Sequence, residues 1–102
     1  MTLKPGSRWR SAVSAAEVVV VRPPKEDATL ECGGHPMLAQ GAEAPAGLTI
    51  AADRNDAIMA GKRYFDEQTL TEVLCAKAGS GSLSLDGRLM QLREAKPLPA
   101  SD

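Results

Sequence analysis

Short apolar runs separated by turn residues follow one another along the chain, at a spacing too short for sustained helical periodicity. Residues 17–22, EVVVVR, hold four consecutive β-branched side chains, stiff at χ1 and disfavoured in helices, and they predict a strand. Side chains alternate across a strand, so four valines in a row put apolar groups on both faces. The expectation is a strand covered twice, in a barrel, a sandwich or a subunit interface. Pro23-Pro24 end it, since neither donates to a ladder. ATLEC (28–32) reads as the returning strand, Gly33-Gly34 as a two-residue turn tolerant of positive φ, and 35–38 as the beginning of a third strand.

Residues 39–60, rich in Ala and Gly, read as a connection with room for one short strand in LTIAA. The β pattern resumes in KRYFD (62–66), TEVLCAK (71–77) and LSLDGRLMQL (83–92), where Asp86-Gly87 between alternating residues signals a hairpin. SAVSAAEVV (11–19) is the best helical stretch, and its alanines suit a single turn. The tail, 93–102, carries two prolines and reads as irregular.

Laid over each other with an offset of 55, the two halves pair GSRWR (6–10) with GKRYF (61–65) and EVVVVR (17–22) with EVLCAK (72–77). Dropping two loop residues then pairs TLECGGHPM (29–37) with SLSLDGRLM (82–90). Gly6/Gly61, Arg8/Arg63, Glu17/Glu72, Gly34/Gly87 and Met37/Met90 become identities, and Trp9 falls on Tyr64. The expected architecture is therefore all-β: a small barrel or sandwich of about eight short strands built from two pseudo-twofold halves, 6–38 and 61–92.

With 102 residues, 43% hydrophobic and 25% charged, the chain has the composition of one globular domain. The net charge of −1, with no basic run longer than Arg8–Arg10, gives no footprint for a phosphate backbone, so no nucleic acid is expected. The longest apolar run, Val18–Val21, is far short of the roughly 20 residues of a membrane helix. MTLKPGSRWRS has no apolar export core, and the expectation is a cytoplasmic protein without a membrane partner. Trp9, Tyr64 and Phe65 are the only aromatics, so the core rests on aliphatics, and dimerisation would reinforce it.

Chemistry concentrates in Cys32-Gly33-Gly34-His35, where a tight turn brings a thiol and the sole histidine together. With Cys75 as a third ligand, this stretch suits zinc in a metal-binding or redox module. One histidine is too few for blue copper, and two cysteines are too few for an iron–sulfur cluster. The competing reading makes both cysteines small buried hydrophobes, as their alignment with Leu85 and Val20 suggests. A Cys32–His35 nucleophile and base lacks an identifiable orienting group or oxyanion site. Trp9 and Tyr64, with Arg8, Arg10 and Arg63, form a second candidate contact site if the symmetry brings the two corners together. Otherwise the rings anchor the core, and Glu17 and Glu72 pair with the arginines. No complete catalytic motif is present. The leading expectation is a non-catalytic β module acting through self-association, as a homodimer, or through a protein partner. A metal or redox module with Cys32, His35 and Cys75, and an enzyme or ligand carrier with His35 at its site, are the alternatives.

Overall fold

The computed structural model describes residues 1–93, so the irregular tail expected over 93–102 lies outside the described residues except for Arg93, which is in a strand. They form ten short strands: β1 (Arg8–Arg10), β2 (Glu17–Arg22), β3 (Leu30–Cys32), β4 (His35–Pro36), β5 (Leu38–Ala39), β6 (Arg63–Asp66), β7 (Thr71–Lys77), β8 (Leu83–Leu85), β9 (Arg88–Leu89) and β10 (Gln91–Arg93). The all-β class is as expected. The strands make a six-stranded sheet, β10-β6-β7-β2-β1-β5, and a four-stranded sheet, β4-β3-β8-β9, with every pair antiparallel. Neither sheet closes on itself, so the barrel alternative gives way to two open sheets. Among the described residues no helix is long and apolar enough to cross a membrane.

The third strand expected over 35–38 is split between the sheets at Met37, because the chain crosses the core there. Met37 is buried and its N–H donates to the Leu30 carbonyl at 2.8 Å. Met90 makes the corresponding crossing between β9 and β10, with its N–H on the Leu83 carbonyl at 2.9 Å. Changing sheets at such corners is how a chain with short strands supplies both layers of a core. Val18, Val20, Tyr64, Val73 and Cys75 from the large sheet meet Leu30, Cys32, Leu83 and Leu85 from the small one in a single cluster. Burying each aliphatic side chain contributes about 1.5–3 kcal/mol before entropy is counted.

β2 departs from the sequence expectation. Val18 and Val20 are buried, but Val19 is only partly covered and Val21 is 41% exposed, so the strand is packed on one face rather than two. The reason is that the small sheet has only one large-sheet face to cover. The register to β7 (Val18↔Cys75, Val19↔Leu74, Val20↔Val73) slips between Val20 and Arg22. A bulge at Val21 takes up the slip.

Both hairpin signals are realised. Gly33 (φ 66°) and Gly34 (φ 86°) join β3 to β4, and Asp86 (φ 50°) and Gly87 (φ 81°) join β8 to β9, each with positive φ at both turn positions as a type I′ turn requires. LTIAA is not a strand. Instead the Ala51 N–H bonds the Gly33 carbonyl at 2.9 Å, and a 3-10 turn follows at Ala52–Arg54. Nor is 11–19 helical before β2: Ser11 Oγ accepts the Val13 and Ser14 N–H groups at 3.0 and 3.1 Å, giving the backbone a local alternative to helix.

Two comparisons test this packing. Gly34→Ala is expected to cost about 2 kcal/mol more than Gly87→Ala in urea unfolding, because both lie at positive φ but only the first would press a Cβ to 2.8 Å from Ala51 Cβ. Equal losses would show that the turn conformation alone sets the cost. Val20→Lys buries a charge and is expected to lose about 4 kcal/mol or to prevent folding, whereas Val19→Lys should stay within about 1 kcal/mol of the parent.

Candidate functional site

Cross-strand partners share a face of a sheet, so the register defines what the large sheet shows to solvent on the side away from the core. One row runs Arg8, Val19, Leu74, Arg63, Arg93 across β1, β2, β7, β6 and β10. Beside it lie Arg10, Glu17 and Lys77 on one flank, and Arg22, Glu72 and Phe65 on the other. Val19 and Leu74 sit half-buried at the centre. Each carboxylate is held by two cations: Glu17 by Arg8 at 3.9 Å and Lys77 at 3.4 Å, and Glu72 by Arg63 at 3.0 Å and Arg93 at 2.8 Å. The cations stand outermost. Arg8, Arg63, Lys77 and Arg93 side chains are 46–68% exposed, against 23% and 10% for Glu17 and Glu72. Arg93 also lies over the Phe65 ring, 5.4 Å from its centroid. The paired strand residues of this face include six of the chain's 12 Lys and Arg but two of its 13 Asp and Glu.

The aromatic corners singled out in the sequence are separated, because β2 and β7 lie between β1 and β6. Tyr64 is a core residue whose hydroxyl accepts the Met59 N–H at 3.0 Å, and Trp9 packs against the core with its Nε1 donating to Ser7 Oγ at 3.0 Å. Arg10 donates to the Ala42 carbonyl. The expected Arg8–Glu17 and Arg63–Glu72 pairs are both present. Sequence reasoning missed Arg22, Leu74, Phe65, Lys77 and Arg93 as neighbours of this set. Only the strand register brings them together.

Cys32 and Cys75 are free, buried thiols on different sheets. Cys32 Sγ faces the Gly81 carbonyl at 3.4 Å, and burial pushes its pKa up against the lowering effect of Ser11 and Ser14. Cys75 Sγ donates to the Lys77 carbonyl at 3.1 Å and is likewise raised by burial, opposed by that backbone contact. A raised pKa keeps a thiol protonated and poorly nucleophilic. His35 is opposite Cys32 in the β3–β4 register, but its Nε2 is engaged by the Thr49 carbonyl at 2.7 Å. Among the described residues no group of three or more His, Cys, Asp or Glu side chains is arranged to hold a metal ion.

Away from the strand positions of the outer face, the described residues hold nine Asp and Glu against five Lys and Arg. One surface groove of about 270 Å³ runs past Lys25, Glu26, Asp27 and Asp86, and a second of about 250 Å³ past Glu31, Asp53 and Arg54. Between the sheets, Asp66 on β6 accepts Arg88 of β9 through both oxygens, at 3.2 and 2.9 Å, and also the Thr69 N–H and hydroxyl at 3.1 and 2.7 Å. The Asp66 side chain is 4% exposed and that of Arg88 33%, so the carboxylate end of this charged tie is shielded while the guanidinium end meets water. The chain matches no protein-family model, no curated protein and no solved structure.

The Arg88 hydrogen bonds, ahead of the opposing effect of burial, hold the Asp66 carboxyl below the usual carboxylate range. A depressed folded-state pKa adds stability that is complete above the unfolded value, about 3.9, and is lost as pH falls through the folded one. Asp66→Asn should therefore cost about 2 kcal/mol near pH 7. Its deficit should shrink as urea unfolding is repeated at falling pH below about 4. A constant deficit would detach Asp66 from the acid response.

Proposed function

We propose that the chain is a small non-catalytic β module that acts by binding a protein partner through the outer face of its six-stranded sheet. The Val19–Leu74 pair carries this reading: two aliphatic side chains, directly opposite each other in the two central strands, remain half-exposed on the face the second sheet leaves open. An apolar centre within a charged rim is the layout of a protein-binding patch, and arginine is enriched in such patches. The Arg63 and Arg93 guanidinium groups, hydrogen-bonded to Glu72, favour the same use, because side chains already held in place lose less entropy on binding.

We also infer that the halves 6–38 and 61–92 are related units about a pseudo-twofold axis passing between Val19 and Leu74. The strand order supports this, since exchanging β1, β2 and β5 for β6, β7 and β10 returns the same sheet read from its other end. Equivalent hydrogen bonds support it as well: the Gly6 N–H on the Val20 carbonyl at 2.8 Å matches the Gly61 N–H on the Cys75 carbonyl at 2.9 Å, and the Val20 and Cys75 N–H groups reach the Ser7 and Lys62 carbonyls at 2.9 Å each. The Arg8–Glu17 and Arg63–Glu72 pairs are related by the same exchange.

Affinity capture from lysate with four immobilised baits tests the docking face: wild type, Val19→Lys, Leu74→Lys, and Leu89→Lys on the small sheet. A protein held by wild type and Leu89→Lys but released by both large-sheet variants is the expected result. Retention by all four baits, or loss only with Leu89→Lys, would overturn the assignment.

A further inference from the structure

We propose that the occupant of this face is an acidic protein segment, its carboxylates meeting the outer arginines and an apolar side chain seating on Val19–Leu74. The proposal rests on the docking reading above and adds the chemistry of the partner. Although the chain as a whole has a net charge of −1, its charge is sorted. Among the paired strand residues of the outer sheet face, Arg8, Arg10, Arg22, Arg63, Lys77 and Arg93 are accompanied only by Glu17 and Glu72, and Arg10 is already engaged by the Ala42 carbonyl. Those two carboxylates lie beneath their cations, at 23% and 10% exposure, so an approaching molecule meets guanidinium and ammonium groups first. Each Glu neutralises one of its two cations, leaving one positive charge per cluster for an external carboxylate; Glu72 also orients Arg63 and Arg93 by hydrogen bonds at 3.0 and 2.8 Å, whereas Glu17 makes only the looser ion pairs to Arg8 and Lys77.

Three other occupants fit less well. A second copy placed face to face about a twofold axis would set arginines against arginines, and like charges opposed across an interface cost several kcal/mol. Single-stranded nucleic acid calls for open aromatic platforms on which bases stack. Phe65 is the one aromatic of this face and it is already covered by Arg93. An anionic membrane attracts Lys and Arg near its surface but draws added strength from inserted apolar side chains. Val19 and Leu74 lie instead in the two central strands of the sheet, each half-buried.

The test uses the full chain, isotope-labelled for amide chemical-shift mapping. The probes are a 12-residue peptide repeating Glu-Leu-Glu-Ser, the same peptide with Lys or Ser in place of Glu, a 12-nucleotide oligothymidylate, and vesicles one-third phosphatidylserine. The acidic peptide is expected to shift Val19, Leu74 and Phe65 with a Kd below about 1 mM at low salt. Its binding should weaken about tenfold between about 50 and about 500 mM salt. Arg8→Gln with Arg22→Gln, exposed changes that spare the Glu72 cluster, should weaken it about tenfold, and the off-face pair Lys4→Gln with Lys25→Gln should not. Equal binding of the Lys or Ser peptide, lost in Val19→Lys, would overturn the acidic specificity while leaving the docking face in place. Tighter binding of the oligonucleotide or the vesicles would replace the partner class. No shift at Val19, Leu74 or Phe65 with any probe would overturn the docking face itself. Association of the chain into growing assemblies in light scattering, reversed by the Arg variants, would make carboxylates of a second copy the occupant and would overturn a separate partner.

Discussion

The antiparallel pairing of β2 with β7 is the contact on which the rest of the structure depends. It joins the two halves of the chain in the middle of the large sheet and fixes which valines face inward, Val18 opposite Cys75 and Val20 opposite Val73. A slip of one residue would turn that inner set to solvent and draw Glu17 and Glu72 toward the core. With only three aromatic residues in the chain, the core has little bulky surface with which to absorb such an error. Correct register here also makes the small sheet possible, because β3 and β8 pair as Leu30↔Leu85 and Cys32↔Leu83 beneath the inner faces of β2 and β7.

Local rules made much of the fold legible. Four β-branched residues ended by a Pro pair located β2, and the Gly33-Gly34 and Asp86-Gly87 turns located their hairpins, since each depends only on neighbouring residues. The same run of valines hid the facing of β2: alternation is the signal that tells inside from outside, and EVVVVR has none. LTIAA resembled a strand by composition, but the backbone partner it found was the Gly33 turn rather than a sheet edge. The split of 35–38 at Met37 was equally hidden, because changing sheets is a property of where the layers lie.

The candidate site was less legible than the fold, for a physical reason. Arg8 with Glu17 and Arg63 with Glu72 were visible as matched positions, yet the basic face is assembled from residues 8, 10, 22, 63, 77 and 93, spread over five strands and both halves. Net charge conceals such sorting, since the excess of carboxylates elsewhere in the chain offsets the basic face in the sum. Cys32 and His35, separated by two glycines in the sequence and the most chemically suggestive pair, engage separate backbone carbonyls instead.

The two buried thiols have a consequence for how the molecule opens. Cys32 belongs to the four-stranded sheet and Cys75 to the six-stranded sheet, and each is essentially without solvent contact. A thiol-modifying reagent can reach either one only through a fluctuation that exposes its own layer. The pair is thus a built-in chemical clock with one hand in each sheet. If the sheets separate and melt as one cooperative unit, the two sulfurs report the same opening free energy, that of global unfolding; if one layer frays first, its sulfur reports a smaller one.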